Sequence, residues 1–217
     1  DFFQDYAFII VHGAHLDKKL KCTKLKELDV YLGKNFLVTV HLDELAQLTN
    51  TIELLKLNPD NFFAGPDRIF HAILDSMIDN YFSIIEYYST QIEEIENIVL
   101  EKKVTESVLK ELIQMKRALV RLRKIIHPQR DVITRITKGE LRFIRKETLI
   151  YFSDIHDHIQ GIYSSIENQR DLLSGVFDAY LSIVSINMSQ INNKINRVMQ
   201  RLTIVSTIFL PLTFITS

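Results

Sequence analysis

The sequence predicts an α+β protein: part of an α/β domain, then a long helical hairpin, then one very long helix that runs into a membrane. Three observations predict it. Strand-type patterning stops at Val40 and helix-type patterning takes over from Asp43. From Asp67 onward, apolar residues recur every three or four positions almost without interruption. In a chain with 24% charged residues, the stretch Leu202 to Ser217 carries no charge at all.

Each element follows in order. "YAFIIV", residues 6–11, is β-prone and almost uniformly apolar, which predicts a buried strand. In "LDVYLGKNFLVTVHL" the alternation of Leu28, Val30 and Leu32 breaks at the turn residues "GKN" and resumes at Phe36, Val38 and Val40, predicting a hairpin. Leu45, Leu48, Ile52 and Leu55 then share a helix face, and Pro59 is expected to end that helix.

After Gly65-Pro66 the strands cease. Asp67 is a candidate N-cap for a helix from about 67 to 102, striped by Ile69, Ile73, Met77, Tyr81, Ile84, Tyr88, Ile92, Ile95 and Val99. The next helix carries Val108, Leu112, Met115, Leu119, Leu122 and Ile126, and Pro128 is expected to stop it. The short link "EKKVTE" makes the two antiparallel neighbours. From Lys146 the stripe of Ile155, Ile159, Ile162, Ile166, Leu173, Val176, Tyr180, Val184, Met188, Ile191, Ile195, Val198 and Leu202 predicts a single helix far longer than a globular domain is wide. The segments are therefore 1–66, the remainder of an α/β domain; 67–145, the helical region; 146–201, a stalk; and 202–217, the start of a membrane helix.

Composition narrows the functions. The formal net charge is −1, which gives no general reason to expect nucleic acid, although acids crowd Glu86–Glu106 and cations crowd Lys110–Lys146. No aromatic residues interleave with the charges of the basic helix before Pro128 in the manner of a base-stacking surface. The lone Cys22 forms neither an internal disulfide nor a metal pattern, so a reducing compartment is the default. There is no glycine-rich phosphate loop and no recognisable nucleophile–base arrangement, so the expectation is that the protein is not an enzyme. The charged "DFFQDY" start does not resemble a secretory leader, and the chain reads as a piece of something longer.

The terminal run follows Lys194, Arg197 and Arg201, cations suited to the cytoplasmic flank of a membrane helix. Its sixteen residues are fewer than the roughly twenty a bilayer crossing needs, so it reads as the first part of a span. Just before it, Ser182, Ser185, Ser189, Asn192 and Asn196 form an uncharged polar ridge. Such a ridge can be solvated, or it can line the axis where several copies of the helix meet.

"VMQRLTIVSTIFLPLTFI" resembles the start of the first transmembrane helix of the CorA family of divalent-cation channels, and "HAILDSMIDNYF", "KETLIYFSDIHDHI" and "DLLSGVFDAYLS" resemble other family segments in the right order. The family's Gly-Met-Asn signature, second membrane helix and first cytoplasmic strands are not in the sequence. The resemblance implies a homopentameric magnesium channel in the inner or plasma membrane, with most of this chain on the cytoplasmic side. It also implies that Asn196, Met199 and Leu202 face the pore axis, that Leu210 belongs to the constriction at membrane level, and that Asp178 is an acidic pore residue higher in the funnel.

Asp154 and His158 lie four apart and so share a helix face, with Asp157 beside them. Mg²⁺ keeps several waters and needs only one or two carboxylates, which suits a weak sensor site. The family resemblance implies a regulatory cation site between subunits, formed with the matching aspartate and histidine, a further acid at Asp75 and a partner acid in a loop upstream of Asp1, for Mg²⁺ or for Co²⁺, Ni²⁺ or Zn²⁺. His156 and His158 point apart on a helix and no cysteine joins them, so that pair does not read as a zinc site. Two other readings stand beside this one: a zinc transporter of the same fold, and a membrane-tethered coiled-coil scaffold whose aspartates are solvated surface.

Overall fold

The computed structural model describes residues 3–17, 22–57 and 65–216. Strands β1 (Tyr6–Asp17), β2 (Cys22–Gly33) and β3 (Leu37–Val40) form an antiparallel sheet in that order. In register, Tyr6 faces Gly33 and Asp17 faces Cys22, while Leu32 pairs with Leu37 across the second hairpin. The sheet buries one face. Ala7, Ile9, Val11, Leu28, Val30 and Leu32 are all in the core. β1 is thus not buried on both sides as its composition suggested: Ile10 is exposed, and Phe8 and Tyr6 pack on Tyr31 across the outer face. Val38 and Val40 lie on that outer side too, because their cross-strand partners Tyr31 and Asp29 point away from the helices, and Phe36 just before β3 is exposed as well.

Helix α1 (Ala46–Leu57) buries Leu48 and Leu55; Pro59, expected to end it, lies outside the described residues. Helix α2 (Pro66–Leu100) begins with proline in its first turn, where the missing N–H costs nothing. Its cap position is Gly65, at φ 105°, and a Cβ there would stand 2.7 Å from Arg145 Nη2. Asp67 is therefore not the cap. Its side chain turns inward, 2% exposed, and accepts hydrogen bonds from the backbone N–H, Nε and Nη2 of Arg145 and from Thr148 Oγ1. Burial alone would raise its pKa, but those donors hold it below the ordinary carboxylate value.

α2 carries the sheet. Its stripe from Phe70 to Val99 is buried, Tyr81 Oη donates to His12 O at 2.8 Å, and Tyr88 Oη meets Thr23 Oγ1 at 2.9 Å. A side chain at Gly13 would press on Met77 at 3.1 Å, so β1 and α2 approach closely there.

Helix α3 (Glu106–Thr137) is capped by Thr105, whose Oγ1 accepts from the Val108 N–H. It passes through Pro128 instead of stopping. Proline removes the hydrogen bond to the carbonyl four residues back, but Pro128 sits on the exposed side, where water can serve that carbonyl. The buried side continues the helix: Gln129 Oε1 accepts the His12 N–H at 3.0 Å, and Ile133 and Ile136 enter the core. α2 and α3 run antiparallel but touch each other little, because the final helix lies along both.

That helix, α4, runs unbroken from Lys146 to Thr216, 71 residues or roughly 105 Å. Phe152, Ile155, Ile159, Ile162, Ile166, Leu173, Val176 and Tyr180 are buried against α2 and α3. Beyond Asn187 every described side chain is exposed. α4 is the one described helix long and apolar enough to cross a membrane.

Candidate metal centre

α2 and α4 run side by side in the same direction. Phe70 meets Phe152, and Phe82 lies edge-on to His158 at 5.6 Å, so the core fixes which turn of one helix faces which turn of the other. That register brings Asp75 on α2 against Asp154 and His158 on α4, with one oxygen or nitrogen of each within 4.8 Å of the others. Opposite ligands of an ion held at about 2.1 Å would be about 4.2 Å apart, so the side chains need close in only slightly. The donors, two carboxylates and an imidazole, fit a divalent cation whose remaining positions are filled by water.

Electrostatics point the same way. Asp75 is half-buried, and its pKa is raised, first by burial and then by the charge of Asp79 one turn on, while His71 and His158 pull it back. A carboxylate under such strain gains from a nearby cation. His71, one turn before Asp75, has its pKa lowered chiefly by burial, and its Nε2 lies 3.1 Å from Tyr151 O.

Three of the four candidate ligands are thus brought together by the fold. Asp157 is not among them: it is 84% exposed and pairs with His156 Nδ1 at 3.4 Å, off the α2–α4 seam. The seam adds a residue that sequence reasoning missed. Asp79 Oδ1 stands 3.1 Å from His158 Nδ1, whereas His158 Nε2 faces Asp154 Oδ1 at 3.8 Å. The signal was present in the one-turn step from Asp75 to Asp79, but nothing local says that this face of α2 meets His158. Asp178, Asn196, Met199, Leu202 and Leu210 are all exposed along α4. Asp178 lies about half a turn from the buried Val176 and Tyr180, and with Leu112, Ile113 and Lys116 of α3 it lines a surface pocket.

A family model described as "CorA-like Mg2+ transporter protein" matches residues 1–217. The chain belongs to this family. The cobalt/magnesium transport protein CorA of Thermotoga maritima is 35% identical over 217 residues, covering 99% of this chain and 59% of that protein. The Bacillus subtilis protein YfjQ is 34% identical over 215 residues, with 64% of its length covered, so the chain spans about three fifths of these relatives. Among solved structures, the complete CorA magnesium transporter of Methanocaldococcus jannaschii superposes with a TM-score of 0.77 at 24% identity, covering 95% of this chain and 62% of that one. The fold, a small antiparallel sheet followed by long helices, is that of the CorA-like proteins.

Proposed function

We propose that the chain is the cytoplasmic regulatory part of a CorA-type divalent-cation channel, joined to its stalk and to the start of its first membrane helix. In this reading residues 1–66 belong to the cytoplasmic α/β domain, 67–145 to the helical layer beside the stalk, 146–201 to the stalk and 202–217 to the membrane. The observation that carries it is continuity. The Asp154–His158 pair and the uncharged terminal run ride on the same unbroken α4, about 70 Å from Asp154 to Leu202, so a shift at the metal cluster moves the membrane end as a rigid rod.

The cluster is the sensor. A bound Mg²⁺ neutralises Asp75 and Asp154; when it leaves, the carboxylates repel and the contact between α2 and α4 loosens. The complete protein assembles as a homopentamer in the cell membrane, this part mostly on the cytoplasmic side. Asp178, Asn196, Met199, Leu202 and Leu210 then line the ion path, and Co²⁺, Ni²⁺ or Zn²⁺ compete for the sensor. Support comes from family membership, from relatives named for magnesium and cobalt transport, and from the geometry of the cluster.

The test is thermal unfolding of the protein against Mg²⁺, Co²⁺ and Zn²⁺, repeated with Asp154→Ala. The expected result is a metal-dependent rise in Tm that the substitution removes or sharply reduces. If every shift survives Asp154→Ala, the sensor assignment is wrong.

A further inference from the structure

Resting on the reading of α4 as a rod that enters the membrane, we propose that Lys194, Arg197 and Arg201 form a docking face for the anionic headgroups of lipids in the cytoplasmic leaflet.

The sequence isolates these three cations. Asp178 is the last acid, so the chain from Ala179 onward carries three positive charges and no negative one. Asp178 stands sixteen residues before Lys194, roughly 24 Å along the helix and about three Debye lengths at physiological ionic strength. Among the described residues the other elements supply no acid nearby. The tip of the α2–α3 hairpin is tied to α4 at Tyr180, whose Oη donates to Thr105 O at 3.2 Å, and its acids Glu101 and Glu106 pair with Lys103 and Lys110. Lys194 lies roughly 21 Å further on. All three cationic side chains are exposed.

The three also share a face. At 100° per residue they fall within an arc of about 60°. The uncharged ridge from Ser182 to Asn196 centres roughly 130° away, and the apolar stripe through Ile191, Ile195 and Leu202 lies between the two. Copies that meet along the ridge or the stripe therefore leave the cations facing outward. Nor can a second copy neutralise them: inserted in the same direction, it brings only the same cations to the same height. Their counter-charge has to come from the surroundings.

Depth decides what those surroundings are. Arg201 directly precedes the uncharged run, and Arg197 and Lys194 stand roughly 7 and 12 Å before Leu202. The headgroup layer on one side of a bilayer is about 5–8 Å thick. Both arginines thus lie within it, and Lys194 reaches it on its flexible stem. A guanidinium takes two phosphate oxygens at once. Phosphatidylcholine offers a phosphate already neutralised by its own choline, so the face selects lipids of net negative charge. Cations that serve only to orient the helix during insertion would show no such selection.

The experiment reconstitutes the protein in vesicles of equal parts phosphatidylcholine and phosphatidylglycerol. Spin-labelled lipids then report how strongly the protein prefers phosphatidylglycerol in the lipid it immobilises. The proteins compared are the unsubstituted one, Lys194→Gln, Arg197→Gln, Arg201→Gln, the triple variant, and Lys116→Gln/Arg117→Gln/Arg121→Gln, which removes as many exposed charges from α3. Circular dichroism checks that each folds. The unsubstituted protein is expected to prefer phosphatidylglycerol about fivefold or more, each single variant to lower that preference about two- to threefold, and the triple variant to bring it near one. The α3 variant should leave it unchanged, and excess inorganic phosphate should not displace the lipid. A preference that survives the triple variant, that falls equally in the α3 variant, or that free phosphate abolishes overturns the docking face. If the protein stays in the vesicles through an alkaline wash yet shows no preference, this inference fails and the membrane reading stands. If it washes out of vesicles of either lipid, both fail.

Discussion

The two halves of α4 carry the same apolar stripe and live in opposite surroundings. From Phe152 to Tyr180 the stripe is buried against α2 and α3; from Met188 to Leu212 side chains of the same kind are exposed. Ile162 is fully buried, whereas Ile195 is 54% exposed. Periodicity therefore tells which face of a helix is apolar and not what covers it. In the first half the cover is the rest of the chain. In the second, nothing among the described residues covers it.

The largest expected effect sharpens this contrast at its buried end. Ile162→Ala removes a side chain with no exposed surface from the contact between α4 and its neighbours. It should lower the unfolding free energy by about 3–4 kcal/mol. Chemical denaturation measures this, and a cost near zero would mean that the packing of the first half has been misjudged.

Next in size is the latch at the start of the rod. Asp67→Ala removes the shared acceptor of four donors at once, which should cost about 2–3 kcal/mol. The pH dependence has a definite sign. The folded-state pKa of Asp67 lies below the ordinary carboxylate value, so its contribution is present above that ordinary value and is lost as pH falls through the lower folded one. Denaturation of the unsubstituted protein should therefore steepen below about pH 4 relative to Asp67→Ala. Parallel curves for the two proteins would remove the latch from the account.

Both Asp67 and Pro128 show where a sequence stops being legible. The helix stripes could be read because burial repeats with the backbone's own period, and Asp154 with His158 could be read because one turn separates them. Asp67 follows a proline at a helix start, and a local rule assigns it the cap; its actual partner, Arg145, is 78 residues away. The rule that proline ends a helix likewise ignores Gln129, Ile133 and Ile136, whose burial against the sheet carries α3 onward. Asp79 escaped for the same reason, since only the docking of α2 on α4 gives it His158. What was missed in each case is a contact between distant turns.

A smaller effect follows at Pro128. Because α3 is helical on both sides of it, Pro128→Ala should restore a backbone hydrogen bond and stabilise the protein by about 1–2 kcal/mol. Thermal unfolding would detect it as a rise of a few degrees. A fall instead would show that the proline's ring fills space beside Ile125 and Val132, with which it lines a cavity of about 400 Å³ facing β1.

The smallest expected effect is the sharpest test of the contrast. Ile195→Ala alters a side chain that touches nothing buried in this chain, so for the monomer its cost should be under about 0.5 kcal/mol. The same substitution in an assembled stalk would open a cavity between helices and cost several times more. Comparing unfolding at dilutions that separate the copies with unfolding at concentrations that hold them together thus reads out whether the second half of α4 finds its cover in other copies of itself. A negligible cost under both conditions would leave this half of α4 without a protein partner at Ile195.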